Sequence, residues 1–66
     1  MKTFKPGDRV TILADATKNG VPDYYLGKEG VVVAVSVDHR FYTITIRVGT
    51  VPVTFYLYEH ELQLVE

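Results

Sequence analysis

Cysteine is absent from this 66-residue sequence, so neither disulfides nor thiolate zinc sites can stabilise the fold, although this absence fits any compartment. A basic excess is also absent: the net charge is −1, which argues against the broad basic surface of a nucleic-acid-binding protein. No apolar run approaches the roughly 20 residues that cross a membrane, and no signal-peptide pattern opens the sequence. We therefore expect a soluble, cytoplasmic protein with no membrane partner.

Catalytic groups are also scarce. Ser36 is the only serine and is expected within a strand, while His39 and His60 fall in different predicted turns. Residues 59–61, Glu-His-Glu, could supply metal ligands, but adjacent side chains point apart. The sequence predicts a protein that is not an enzyme and has no cofactor or metal.

What the sequence does contain is β-forming apolar residues, including eleven valines and three isoleucines. A chain of this length forms one domain, which we place over residues 1–66. Such a domain buries only about 60% of the surface of its unfolded chain, so the apolar residues must supply the core.

Two stretches of alternating apolar residues, Phe41–Val48 and Val51–Tyr58, flank Gly49 and Thr50 and predict a β-hairpin. Glycine at the first loop position favours a type II′ turn, whose twist matches that of the strands. A two-residue loop fixes the register of both arms, since a slip of one residue would expose an apolar row. The register directs one row towards the core: Tyr42, Ile44, Ile46, Val48, Val51, Val53, Phe55 and Leu57.

The remaining elements are shorter. Residues 5–8 predict a turn and residues 9–13 a first strand. Residues 14–27 form a long connection without a helical period, and structureless loops of this length are often functional. The rest is predicted as a second strand over residues 28–37, a polar turn at 38–40, a single 3₁₀ turn at 59–61 and a last strand at 62–65.

The second strand is apolar on both sides. The odd-numbered positions 31 to 37 are all valine and form one row, while Val32, Ala34 and Ser36 form the other. Such a strand can bend and serve both halves of a small barrel. Gly30 and the small residues would permit that bend, for which a β-bulge is one route.

Five short strands with a long loop after the first and a 3₁₀ turn before the last resemble an SH3-like barrel, an all-β fold. The likeness rests on Pro-Gly-Asp-Arg-Val at 6–10, Gly-Lys-Glu-Gly-Val-Val at 27–32 and Glu-Leu-Gln-Leu-Val at 61–65. The Gly-x-x-Gly-x-Val stretch resembles the KOW motif of ribosomal proteins and bacterial transcription elongation factors. The opening and ending also resemble SH3-like accessory subunits of photosynthetic electron transfer, which dock or stabilise partner proteins. The alanine-leucine-tyrosine-aspartate-tyrosine signature of proline-peptide-binding SH3 domains is absent.

Two aromatic groups are candidate partner-binding sites. The hairpin register turns Phe41, Tyr56 and Tyr58 away from the core, where they either stabilise the sheet through cross-strand contacts or meet a protein partner. In the long loop, one of Tyr24 and Tyr25 is expected to cap the barrel, while the other either does the same or forms a recognition edge.

The function that we predict is a protein-binding module for docking or assembly, with self-association through the aromatic face as a variant. The alternative is an RNA- or ribosome-associated KOW-like module. In that case Lys28, Arg40 and Arg47 would contact phosphates, while the aromatic residues would stack on bases. Acidic residues are interspersed among these basic ones, which also fits a mixed solvated surface.

Overall fold

A computed structural model of the chain describes residues 3–65 and confirms the predicted all-β fold. Five antiparallel strands form one barrel-like sheet in the order β4-β3-β2-β1-β5. The strands are β1 (Arg9–Ile12), β2 (Glu29–Val35), β3 (Phe41–Val48), β4 (Val51–Tyr58) and β5 (Leu62–Leu64). Three 3₁₀ helices connect them: η1 (Ala14–Asn19), η2 (Asp23–Tyr25) and η3 (Glu59–Glu61).

The β3–β4 hairpin has the predicted register, from Val48 paired with Val51 to Phe41 paired with Tyr58. Gly49 has a φ of +64°. Thr50 is not among the positive-φ residues found within residues 3–65. A positive φ at the first loop position alone distinguishes a type II′ turn from type I′, so the expected turn is confirmed.

Strand β2 is shorter than predicted and contains a bulge between Val32 and Ala34. The bulge breaks the expected alternation, because Val31 and Val33 are exposed whereas Val35 packs against the core. The prediction that the odd-numbered valines from position 31 to 37 form a single row was therefore wrong. The bend itself was predicted, and the bulge is its mechanism.

The connection over residues 14–27 is not the structureless loop that the sequence suggested, because η1 and η2 occupy most of it. Ala16 of η1 is fully buried, and Val21 between the two helices is 4% exposed. Helices this short have no apolar period that a sequence can reveal. Their packing shows that the connection covers one end of the barrel.

The turn between β2 and β3 is organised by Ser36, which lies after the strand rather than within it as predicted. Its hydroxyl donates to Asp38 Oδ1 at 2.7 Å and accepts from the Phe41 N–H at 3.1 Å. The Ser36 hydroxyl, aided by the Arg40 N–H, lowers the pKa of the Asp38 carboxyl. Ser36 is thus occupied by a structural role in the turn.

The core lies between the inner faces of the strands and the 3₁₀ segments. Its buried members include the predicted hairpin residues Tyr42, Ile44, Ile46 and Leu57. Val53 and Phe55 of the same predicted row are only half-buried, and Val51 is 60% exposed. The other buried apolar residues are Phe4, Val10, Ile12, Ala16, Val21, Val32 and Leu62.

Candidate functional site

The outer face of the β3–β4 hairpin carries three exposed aromatic side chains. Phe41, Tyr56 and Tyr58 are 38%, 64% and 44% exposed, respectively. They point away from the core because residues at odd positions of β3 and even positions of β4 alternate with the buried row. We call these three residues the aromatic face.

Contacts within the aromatic face run diagonally rather than straight across the ladder. Phe41 is paired with Tyr58 in register, yet its ring meets that of Tyr56 edge-on, with centroids 6.4 Å apart and planes at 88°. Tyr58 instead stacks on His60 of η3, with centroids 6.0 Å apart and planes at 6°. Such contacts stabilise a sheet by about 0.5–1.5 kcal/mol each, so part of the role of these rings is structural.

Two valines extend this surface onto the neighbouring strand. Val31 and Val33 of β2 are 39% and 49% exposed, because they alternate with the buried Gly30 and Val32. They line an open concavity of about 470 Å³ together with Gly30, Thr45 and the rim side chains Glu29 and Arg47. The outer sheet face therefore continues from aromatic side chains on β4 to aliphatic ones on β2.

The two loop tyrosines divide as the sequence analysis expected. Tyr25 is half-buried and packs edge-on against Phe55, with ring centroids 5.0 Å apart, so it caps the barrel. Tyr24 is 62% exposed, and the Lys28 ammonium lies 4.8 Å from the centre of its ring. Tyr24 is the loop aromatic residue that remains available to a partner.

The loop tyrosines and the aromatic face do not form one surface. Phe55, which contacts Tyr25, and Tyr56 are neighbours on β4 and therefore point to opposite sides of the sheet. The side-chain amide of Asn19 in η1 crosses the edge between them and donates to the Tyr56 carbonyl at 2.9 Å. A partner that contacted both groups would have to pass around the β4 edge.

The basic residues of the alternative RNA-binding prediction are also dispersed. Lys28 accompanies Tyr24 on the loop side, and Arg40 lies in the β2–β3 turn, 3.8 Å from an oxygen of Asp38. Arg47 projects from the outer face near the other end of β3, and seven strand residues span roughly 20 Å. The structure does not bring the three cations together.

The Glu-His-Glu segment that was considered for metal binding is η3. His60 stacks on Tyr58, whereas Glu61 is buried and accepts from the Tyr58 N–H at 2.8 Å and from Asn19 Nδ2 at 3.3 Å. Within residues 3–65, no three histidine, cysteine or acidic side chains converge as metal ligands would. The same part of the chain contains no helix long and apolar enough to cross a membrane.

Sequence reasoning missed two contributors to this region. The division of the valine row, with Val31 and Val33 exposed and Val35 packed against the core, depends on a bulge whose location only the pairing with β3 defines. The bridge from Asn19 to Tyr56 joins residues 37 positions apart, and its only sequence signal was a polar residue in a long connection.

No protein-family model and no curated protein sequence matches this chain.

Proposed function

We propose that this protein is a non-enzymatic binding module that docks another protein on the aromatic face and the adjoining valines of β2. The observation that carries the proposal is the exposure of Phe41, Tyr56 and Tyr58 together on one side of a regular hairpin. Large exposed apolar patches on small soluble domains are characteristic of interaction sites. Tyrosine and phenylalanine are also enriched in the cores of protein interfaces.

The partner that this face suits is a folded protein surface that is largely apolar and offers hydrogen-bond acceptors to the tyrosine hydroxyls. Around the aromatic face, the other outward positions of β3 and β4 contain one charged side chain, Arg47. Tyrosine supplies a large contact area with few rotatable bonds, so it loses little conformational entropy on binding. The SH3-like resemblance agrees with a docking role but adds no residue to the proposed site.

The test is affinity capture from the native host, with the wild-type chain and the double variant Tyr56→Ala/Tyr58→Ala as baits. We expect the double variant to lose the captured partner while it remains folded, because both side chains lie outside the core. Its melting temperature should fall moderately, since the ring contacts of Tyr56 with Phe41 and of Tyr58 with His60 are lost. The matched control is Tyr24→Ala. Tyr24 is as exposed as Tyr56, but it belongs to η2 and lies on the loop side of the sheet.

Two results would contradict the proposal. If the double variant captures the same partner and only its melting temperature falls, the aromatic face has a structural role alone. If Tyr24→Ala loses the partner while the double variant keeps it, the binding site lies on the loop side of the sheet.

A further inference from the structure

Strand β4 is an unusually open sheet edge. Within residues 3–65 it pairs only with β3, and its eight residues contain neither a charged side chain nor a bulge. Natural proteins usually protect such edges with charges, bulges or very short strands, and the opposite edge, β5, has only three residues. The one protective device on β4 is Pro52.

The hairpin turn determines which main-chain groups of β4 point outward. Val48 and Val51 close a two-residue loop and form a hydrogen-bonded pair, after which bonded and non-bonded pairs alternate. The odd-numbered residues of β4 thus bond to β3, whereas Pro52, Thr54, Tyr56 and Tyr58 direct their main-chain groups to the open edge. Proline fits such a position because it has no N–H to leave unpaired.

Part of this edge is already occupied by the rest of the chain. The Tyr56 carbonyl accepts from Asn19, and the Tyr58 N–H donates to Glu61. In residues 3–65, four outward groups between positions 52 and 56 have no hydrogen-bond partner in the fold. They are the Pro52 carbonyl, the Thr54 N–H, the Thr54 carbonyl and the Tyr56 N–H.

These four groups are complementary to themselves. If two β4 edges meet antiparallel with Thr54 opposite Thr54, each Thr54 N–H donates to the other Thr54 carbonyl. Each Tyr56 N–H then donates to the Pro52 carbonyl of the second copy. The two groups that this ladder cannot pair, the proline nitrogen and the Tyr56 carbonyl, lie opposite one another, and Asn19 already satisfies that carbonyl.

The side chains match in the same register. On the outer side Thr54 faces Thr54 and Tyr56 faces Pro52, and threonine pairs across strands are favourable. On the inner side Val53 faces Phe55, and both are only half-buried in the single chain. No charged residue occurs in the ladder, so its formation would desolvate none.

We propose that two copies of this chain associate through a two-fold antiparallel pairing of their β4 edges, centred on Thr54. The occupant of the edge is therefore a second copy, and the two sheets become continuous. This association goes beyond the docking function, because pairing within the sheet plane leaves Phe41 and Tyr58 exposed. A dimer could form whether or not the aromatic face binds another protein.

Sedimentation equilibrium over a range of protein concentrations tests the proposal. We expect the wild-type mass to rise from 7.5 kDa towards twice that value. Thr54→Lys and Thr54→Glu should each remain monomeric, because like charges would lie directly opposite one another. An equimolar mixture of the two should form a heterodimer, and Thr54→Val, which keeps the main-chain donor and the side-chain shape, should dimerise as the wild type does.

A second measurement locates the interface. Antiparallel pairing centred on Thr54 brings the α protons of Val53 and Phe55 from different copies together, so an isotope-filtered nuclear Overhauser effect between them is expected in a mixed-label sample. If the wild type stays monomeric at every concentration, the proposal is overturned, and the open edge of β4 would instead suit a strand of another protein. If Thr54→Lys dimerises as strongly as the wild type, the proposal is also overturned, because the interface must then lie elsewhere.

These outcomes can be separated from those of the docking proposal. Thr54→Lys retains Phe41, Tyr56 and Tyr58, so a monomeric Thr54→Lys chain should still capture the partner if the aromatic face binds it. Loss of dimerisation with retained capture would support both proposals. Dimerisation of the wild type without any capture would support the edge pairing alone.

Discussion

Gly30 lies where the barrel is packed too closely for a larger side chain. It is buried in β2, and a Cβ atom placed there would lie 2.7 Å from Ile44 Cγ2 and 3.0 Å from Ile46 Cγ1. Its φ is not among the positive values in the structure, so the requirement for glycine comes from the neighbouring side chains and not from the backbone. The second glycine of the Gly-x-x-Gly-x-Val stretch therefore has a packing role in this fold.

We expect Gly30→Ala to lower the free energy of unfolding by about 1–3 kcal/mol, because the added methyl overpacks the core. This loss should exceed the roughly 0.4–1 kcal/mol that alanine gains by restricting the unfolded chain. Urea titration followed by circular dichroism measures the change. Ala34→Val, which enlarges an exposed residue of the same strand, should change stability by no more than about 0.5 kcal/mol.

At the scale of elements, the buried carboxylate of Glu61 joins three parts of the chain. Its Oε1 accepts from the Tyr58 N–H at the end of β4 and from the side-chain amide of Asn19 in η1, while Glu61 itself belongs to η3. The Glu61 carbonyl also accepts from the Leu13 N–H at 2.9 Å. These bonds hold the long connection and the final 3₁₀ turn against the sheet.

Removing this carboxylate should loosen that end of the barrel. We expect Glu61→Ala to lower the melting temperature and to cost about 1–3 kcal/mol, since the Tyr58 N–H and the Asn19 amide lose their acceptor. Glu61→Gln keeps an oxygen at the same position and should recover most of the loss. If the glutamine variant is as unstable as the alanine variant, the negative charge matters more than the two hydrogen bonds.

At the scale of the whole molecule, basic side chains of residues 3–65 are interspersed with acidic ones. The net charge of the sequence is −1. The Arg9 guanidinium lies 3.2 Å from a carboxylate oxygen of Glu29, and that of Arg40 lies 3.8 Å from an oxygen of Asp38. Phosphate binding draws its affinity mainly from clustered cations that release counterions. This charge distribution favours a protein partner over RNA.

We therefore expect no measurable RNA binding in fluorescence anisotropy with a mixed-sequence single strand at low salt, where phosphate contacts are strongest. Binding that weakens steeply as salt is added would contradict this prediction and favour the RNA-associated alternative. In that event Arg47→Gln and Arg40→Gln would show which end of β3 contacts the phosphates.

The parts of the fold that could be predicted from sequence are those governed by local patterns. Alternation over sixteen strand residues and the glycine of a two-residue loop were enough for the register of the β3–β4 hairpin. The bulge in β2 shifts the alternation at a position fixed by pairing with β3, so a row of valines was assigned incorrectly. The 3₁₀ helices of the long connection owe their order to buried contacts of Ala16 and Val21, which no short pattern reveals.

The candidate site was predictable to the same extent. The alternation of side chains along β3 and β4 predicted that Phe41, Tyr56 and Tyr58 lie on the outer face, where the structure places them. The side of the sheet on which Tyr24 and Tyr25 lie depends on how η2 packs against Phe55, which is a contact between residues 30 positions apart (55 − 25). Such long-range placement lies beyond the reach of periodicity.

The pairing of β1 with β5 has a consequence for the order of folding. Val10 pairs with Leu64, 54 positions later (64 − 10), whereas the β3–β4 hairpin closes across two residues. Bringing distant residues together has an entropic cost that grows with the length of the intervening chain, and non-local pairings form slowly. We therefore expect the hairpin to form early and the barrel to close last. Until Asn19 reaches the Tyr56 carbonyl, 37 positions away, the uncharged edge of β4 lacks that cover, and Pro52 would limit premature pairing with other chains.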